Sequence, residues 1–238
     1  SNTFINLAMP GGKVAPNLAK KGIRAYQQLE PGQTFLFFNM EAPVVGGYTP
    51  QQVALRRAVA LGMDTPSEIR LLRKGQGVPS QSPYIPFTSG HDPKFKSEFG
   101  DYDPARAKAL LDLYGFVDRN GDGWRDRPDG SPLSLRITTQ PDQRSRQLDE
   151  QLAKNLEALA LRTGFDIAQW PENLKSARAG SLMIWSLGSN ADSSDGQGAL
   201  ARYDSTQIGG QNMARFKLPE FDRILDRMRV LPDGPERA

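Results

Sequence analysis

The stretch FLFFNMEAPVVGGYTPQQVALRRAVALGMD, Phe35–Asp64, places a strand and a helix in direct succession. Its first four residues, Phe35–Phe38, form an apolar run between proline-containing pairs, which predicts a short buried strand. Thr49 is followed by proline and, three residues on, by glutamine, the order of a helix-capping box. We therefore predict a helix over 50–62. A second capping box, TPSE at 65–68, predicts another helix that ends near residue 74.

Apolar spacing continues the alternation of strands and helices along the chain. The longest helix is predicted over 142–162, because its leucines recur at steps of three or four residues and Gly164 follows as a stop signal. Strands that alternate with helices are typical of the α/β class. The remaining predictions are helices over 104–114, 171–179 and from residue 219, and strands over 133–137, 165–170 and 182–187.

Composition excludes several kinds of protein. The 238 residues contain 30 Lys and Arg against 27 Asp and Glu, a net charge of +3, and no long run has one sign. Net charge therefore gives no reason to expect a nucleic-acid partner. No run of 18 apolar residues is present that would span a bilayer. The absence of cysteine excludes disulfides, zinc thiolates and cysteine nucleophiles.

Motifs for catalysis are missing. No serine lies in a Gly-x-Ser-x-Gly motif, no glycine-rich phosphate loop is present, and His91 is the only histidine. The sequence therefore predicts a protein that is not an enzyme and carries no cofactor. One enzymatic alternative stays open, a hydrolase that uses Asp192 or Asp195 as a base.

The segment VDRNGDGWRDRPDG, residues 117–130, raises the possibility of a calcium loop. An EF-hand places oxygen ligands at alternate positions between two helices. Here glycine ends the preceding helix and a strand follows, so the Asn-Gly and Asp-Gly pairs favour tight turns or a small hairpin. We predict no metal site and keep a stand-alone calcium-binding module as the alternative. Its ligands would be Asp118, Asn120, Asp122, Asp126 and Asp129.

A polar loop follows the predicted strand at 182–187. The sequence runs through Trp185 into SLGSNADSSDG, and such a loop at the carboxyl end of a strand is where α/β domains usually bind ligands. Trp185 is predicted to supply an apolar wall, and Asp192 a carboxylate that receives an ammonium group. Alternatively, the tryptophan belongs to the core and the aspartates only form turns.

Several segments in order resemble successive blocks of a known family, the family 5 solute-binding proteins of ABC transporters, which include oligopeptide and dipeptide receptors. The blocks are FFNMEAPVVGGYTPQQVALRRAVALGMD, GQGVPSQSPYIP, YDPARAKALLDLYGFVDRNGDGWRDRPDGSPL and GGQNMARFKLPEFDRIL. Each block alone is weak evidence. Their order over nearly the whole chain makes the resemblance specific.

The resemblance implies one lobe of a type II periplasmic-binding-protein fold, a mixed sheet flanked by helices. Complete members of the family are about twice this length, so it also implies that this chain is a piece of a longer protein. On this basis residues 1–32 are expected to be a connecting segment from the other lobe, and residues 33–238 the distal ligand-binding lobe. The parent protein is expected to be secreted to the periplasm or another extracytoplasmic space.

The resemblance also implies a function and a site. The parent would be a monomer that delivers a small solute, preferably a peptide, to a membrane ABC permease. In the family's peptide receptors an aspartate after the tryptophan-bearing strand binds the α-amino group. Asp192 matches it by its Ala-Asp context, or Asp195 if the register shifts. The expected ligand-binding residues are Trp185, Ser189, Asn190, Asp192 and Asp195.

Overall fold

A computed structural model describes residues 7–26, 28–232, 234 and 236–237. The chain divides into two compact units, one made of residues 1–30 and 65–79 and the other of residues 31–64 and 80–238. In the described part, the α-helices are α1 (Pro16–Ala19), α2 (Pro50–Gly62), α3 (Thr65–Leu71), α4 (Pro104–Leu113), α5 (Gln143–Glu157), α6 (Trp170–Ala179), α7 (Gln197–Leu200) and α8 (Pro219–Val230). The strands are β1 (Gly32–Phe38), β2 (Ser134–Thr139), β3 (Arg162–Ile167) and β4 (Ile184–Asn190).

The four strands of the larger unit form one mixed sheet in the order β1-β4-β2-β3. The strand β2 lies parallel to both β3 and β4, as expected for two successive strand–helix–strand crossovers through α5 and α6. The first strand, β1, pairs antiparallel with β4 at the edge of the sheet. This topology confirms the predicted α/β class with a mixed sheet flanked by helices.

One face of the sheet carries the main core. Leu135 and Ile137 of β2 pack there with Leu55 of α2, Leu111 of α4 and Leu156 of α5, all at most 3% exposed. Burial of each such side chain stabilises the fold by about 1.5–3 kcal/mol. The opposite face carries a smaller apolar cluster, in which Phe37 of β1 and Trp185 of β4 meet Ala177 of α6 and Leu182, which precedes β4.

The first capping box holds as the sequence predicts. The Thr49 side chain accepts a hydrogen bond from the backbone of Gln52, and the Gln52 side chain accepts one from the backbone of Thr49. The helix α2 then runs over the predicted residues. The second helix, α3, ends at Leu71 rather than near residue 74.

The longest helix is shorter than predicted. It ends at Glu157, and the following strand begins at Arg162 and contains Gly164, the residue we expected to end the helix. The end is a Schellman motif in which Ala160 adopts the left-handed conformation, with φ 58°, and the backbone of Leu161 donates to the carbonyl of Leu156. Glycine usually occupies this position, so an alanine there carries no local signal of a helix end.

In the smaller unit, the described residues contain α1, α3 and the turn after α3. Arg73 forms an ion pair with Glu68 at 2.6 Å, and the backbone of Gly75 donates to the carbonyl of Ile69. Across both units, no helix of the described residues combines the length and the apolar character needed to cross a membrane.

Candidate functional site

The candidate site lies at the edge of the sheet where β2, β3 and β4 reach their carboxyl ends. Because β1 is antiparallel to β4, its first residue, Gly32, lies beside Asn190, the last residue of β4. The β1–β4 ladder continues to this pair, whereas the pairing of β4 with β2 ends at Trp185. The two strands therefore carry the following loop, residues 191–196, away from the rest of the sheet.

Backbone hydrogen bonds fix the position of the 191–196 loop. The Ala191 N–H donates to the carbonyl of Pro31 at 2.8 Å, which extends the β1–β4 ladder by one bond. The Ser89 N–H donates to the carbonyl of Ser194 at 2.8 Å, and the Gly196 N–H donates to the Ser89 hydroxyl at 3.0 Å. The loop is thus held against residues 84–91, part of a proline-rich segment without helix or strand at residues 75–99.

Asp195 is used within the protein. One carboxylate oxygen accepts from the Gln197 backbone at 2.9 Å, and the other accepts from the Arg237 guanidinium at 2.7 Å. Burial raises the pKa of the nearby Tyr84 hydroxyl, and the negative charge of Asp195 adds to this effect. These groups line a cavity of about 450 Å³ together with Ser89, Ser194 and Gln197.

Asp192 differs from Asp195. It is exposed at the outer part of the loop, and none of the described residues donates a hydrogen bond to its carboxylate. On β4 just before it, Ser189 pairs with Gln33 and Asn190 pairs with Gly32, so that their side chains point to opposite faces of the two-stranded ladder. The carboxylate of Asp192 is therefore available to an outside group.

Trp185 lies inside the fold. It is 2% exposed, its ring lies 6.3 Å from that of Phe37 in an edge-to-face arrangement, and Trp170 contacts it at 5.0 Å. The sequence left two interpretations of this residue open, an apolar wall of the site or part of the core. In the described structure it packs in the smaller apolar cluster. The Trp170 ring is 43% exposed and reaches solvent.

The acidic loop at 118–129 consists of turns. The two carboxylate oxygens of Asp118 accept from the backbones of Gly121 and Gly123, and these bonds lower its pKa. The other candidate calcium ligands act in the same way. Asn120, Asp122, Asp126 and Asp129 accept from the backbones of Asp122, Trp124, Arg119 and Ser131, respectively.

Two further features agree with the turn interpretation. Gly121, Gly123 and Gly130 have positive φ, and a bridge between Asp126 and Pro132 closes a small hairpin. Within residues 7–26, 28–232, 234 and 236–237, no group of three or more acidic or histidine side chains is arranged to hold a metal ion. Nothing in the described loop favours the calcium alternative.

The model of the family described as "Bacterial extracellular solute-binding proteins, family 5 Middle" matches residues 5–211 of this chain. The chain belongs to this family. The predicted resemblance is therefore confirmed over most of its length.

Among curated family 5 relatives, the chain is 29% identical over 189 residues to "Di/tripeptide-binding protein 2" of Pseudomonas aeruginosa. The aligned residues cover 77% of this chain and 33% of that protein. It is 26% identical over 190 residues to "Heme-binding protein A" of Haemophilus influenzae, with 78% and 32% covered. The chain thus spans about a third of the length of the curated relatives it matches.

Solved structures confirm the expected type II periplasmic-binding-protein fold. The oligopeptide-binding protein AppA of Bacillus subtilis, in complex with a nonapeptide, superposes with a TM-score of 0.75 at 18% identity. The superposition covers 87% of this chain and 40% of AppA. At this level of identity the likeness shows the fold alone.

The family 5 chain also carries residues around the site that the sequence did not indicate. Tyr84 and Ser89 lie in the proline-rich segment, where no motif indicates a site, and no pattern pointed to Arg237. Asp149 of α5 accepts a hydrogen bond from the Thr139 hydroxyl at the carboxyl end of β2, at 2.8 Å. Burial raises the pKa of this carboxyl group.

Proposed function

We propose that this chain is the ligand-binding lobe of an extracytoplasmic receptor that delivers a peptide or a similar solute to a membrane ABC importer. The observation that carries the proposal is the free carboxylate of Asp192, held by a fixed loop at the carboxyl edge of a family 5 sheet. Ligands of α/β sheets bind at this edge. The relatives named for di- and tripeptides and for heme fit the same general role.

Asp192 is proposed as the carboxylate that receives the solute's ammonium group. Asp195 is the weaker choice, because both of its oxygens accept hydrogen bonds from within the chain. Ser189 and Asn190 would add hydrogen bonds from the end of β4. Trp185 would act indirectly, by fixing the position of β4 through its packing in the apolar cluster.

The proposed architecture is that of two lobes that close over the solute by a hinge motion. Residues 1–32 would form the connection to the other lobe and residues 33–238 the distal lobe. The receptor would act as a monomer in the periplasm or another extracytoplasmic space, and the permease would recognise its closed form. It would bind rather than convert its solute, without a cofactor.

The direct test is native mass spectrometry of the full-length protein purified from its host. We expect a co-purified peptide or peptide-like solute that dissociates on unfolding. The isolated 238-residue chain offers only part of the cleft walls, so we expect weak or undetectable binding to it. Submicromolar binding of a peptide to these 238 residues would contradict the two-lobe proposal.

A variant pair assigns the carboxylate. In the polypeptide as its host produces it, Asp192→Asn should weaken solute binding by about 10- to 100-fold, the usual effect of losing one charge-assisted contact. Asp129→Asn is the matched control, because this aspartate is also exposed but serves only a turn. Equal affinities of both variants, measured by calorimetry with the co-purified solute, would show that the Asp192 carboxylate does not bind the solute.

A further inference from the structure

Phe87 combines two unfavourable features. Its backbone has φ 69°, in the left-handed region that residues other than glycine rarely adopt, and its ring is 68% exposed. A bulky residue in this conformation is strained, and a ring that is mostly exposed offsets little of that strain by packing. Strain without an internal gain points to a task outside the chain's own fold.

The surrounding loop holds Phe87 in this conformation. The backbone and the hydroxyl of Thr88 both donate to the carbonyl of Ile85, whose side chain is 2% exposed. On the other side, Ser89 is bonded to the loop after β4 through its backbone and its hydroxyl. The ring is therefore presented by a rigid turn rather than by a free loop.

The same contacts limit the distance between Phe87 and Asp192. Phe87 lies two residues before Ser89, Asp192 lies two residues before Ser194, and the backbones of Ser89 and Ser194 are joined by a 2.8 Å hydrogen bond. Two residues reach about 7 Å at most, so the α-carbons of Phe87 and Asp192 lie within about 20 Å of each other. A short extended peptide spans such a distance.

We propose that Phe87 is a specificity-determining residue that contacts an apolar group of the bound solute. This inference rests on the proposed function and narrows its solute class. The preferred solute carries an ammonium group for Asp192 and, within the length of a short peptide, an apolar or aromatic side chain for Phe87.

Phe95 provides a matched control. It belongs to the same proline-rich segment and is 50% exposed, but its φ is not positive and its neighbours do not bond to the loop after β4. Loss of the Phe95 ring should therefore change surface composition in the same way as loss of the Phe87 ring, without removing the proposed solute contact.

The test is calorimetric titration of the polypeptide as its host produces it with triglycine, trileucine and triphenylalanine. Phe87→Ala should weaken binding of trileucine and triphenylalanine about 10-fold or more and leave triglycine binding unchanged. Phe95→Ala should leave all three affinities unchanged. Phe87→Gly should show the same selective loss and a higher Tm, because glycine relieves the positive φ.

The other outcomes are distinguishable. If the unsubstituted protein binds none of the three peptides, the proposed peptide function fails and this inference fails with it. If it binds them and Phe87→Gly keeps the preference for apolar peptides, only the inference on Phe87 is overturned. A lower Tm of Phe87→Gly without loss of preference would show instead that the ring packs against another part of the receptor.

Discussion

The chain contains two loops rich in aspartate and glycine that are held in place by different hydrogen bonds. In the acidic loop at 118–129, the carboxylates accept hydrogen bonds from the loop's own backbone. In the loop at 191–196, the fixed positions come from backbone contacts with Pro31 and Ser89 instead. As a result Asp192 keeps a free carboxylate in the second loop, while Asp118 has none in the first.

This difference shows what composition leaves undetermined. Aspartate is common both in turns and in binding sites, because a short carboxylate suits a backbone N–H as well as an outside cation. The decisive property is whether the carboxylate oxygens are already occupied. The following predictions test this distinction, beginning with the largest expected effect.

Gly196→Ala should destabilise the chain most, by about 3 kcal/mol, because a methyl group here would overlap the carbonyl oxygen of Ser89. Backbone atoms oppose it on that side, so the two loops must separate. Urea unfolding followed by circular dichroism measures the change. Gly198→Ala is the control, since a methyl group there meets nothing within 4 Å. Equal stability of the two variants would contradict the tight contact between the loops.

Asp126→Ala should cost about 2 kcal/mol. The side chain is 5% exposed, and its removal leaves the Arg119 N–H without its acceptor. Asp126→Asn retains an oxygen at this position and should recover most of the stability. If the alanine variant unfolds at the same urea concentration as the unsubstituted chain, the carboxylates of this loop do not hold its turns.

Asp149→Asn should stabilise the chain at neutral pH by less than about 1 kcal/mol, since the side chain is only partly buried. Burial raises the pKa of this group above 3.8, so the folded state holds its proton more tightly than the unfolded state does. The stability of the unsubstituted chain therefore falls as pH rises from about 3.8 through the folded pKa. The difference between the two chains should vanish below this window. Thermal unfolding at a series of pH values checks the sign.

Asp192→Asn should change the free energy of unfolding by no more than about 0.5 kcal/mol, because the side chain is exposed and makes no bond within the described residues. The comparison is sharpest when the same variant is measured for solute affinity. A clear loss of stability would place Asp192 with the turn-forming aspartates and leave the proposed site without its carboxylate.

Helix ends illustrate how far the sequence predicts the fold. Gly115 and Gly180 follow α4 and α6 with positive φ, and the helices predicted over 104–114 and 171–179 end directly before these glycines. The end of α5 uses Ala160 in the same conformation, and its position was predicted wrongly. A helix end is recognisable in the sequence when glycine terminates the helix. When tertiary packing ends the helix instead, here through the fully buried Leu159 and Leu161, the sequence carries no local mark of the end.

The site follows the same rule. The loop after β4 was predicted as the candidate site because its composition changes abruptly at the end of an apolar strand. Its partners Tyr84, Ser89 and Arg237 could not be found, since contacts between segments more than 40 residues apart have no spacing pattern in a single sequence. Trp185 remained open for a related reason: an aromatic residue on a strand packs equally well on a core or on a ligand.

The position of β1 has a consequence for biogenesis. Among the described strands β1 is synthesised first, yet it pairs only with β4. Residue 38 therefore has no strand partner until residue 184 has been synthesised. Until then Phe35–Phe38 is an apolar segment with open backbone groups, the kind of segment that associates with other chains. A nascent polypeptide with this topology needs shielding over most of the domain's synthesis, so a chaperone should engage it early and release it only once β4 has emerged.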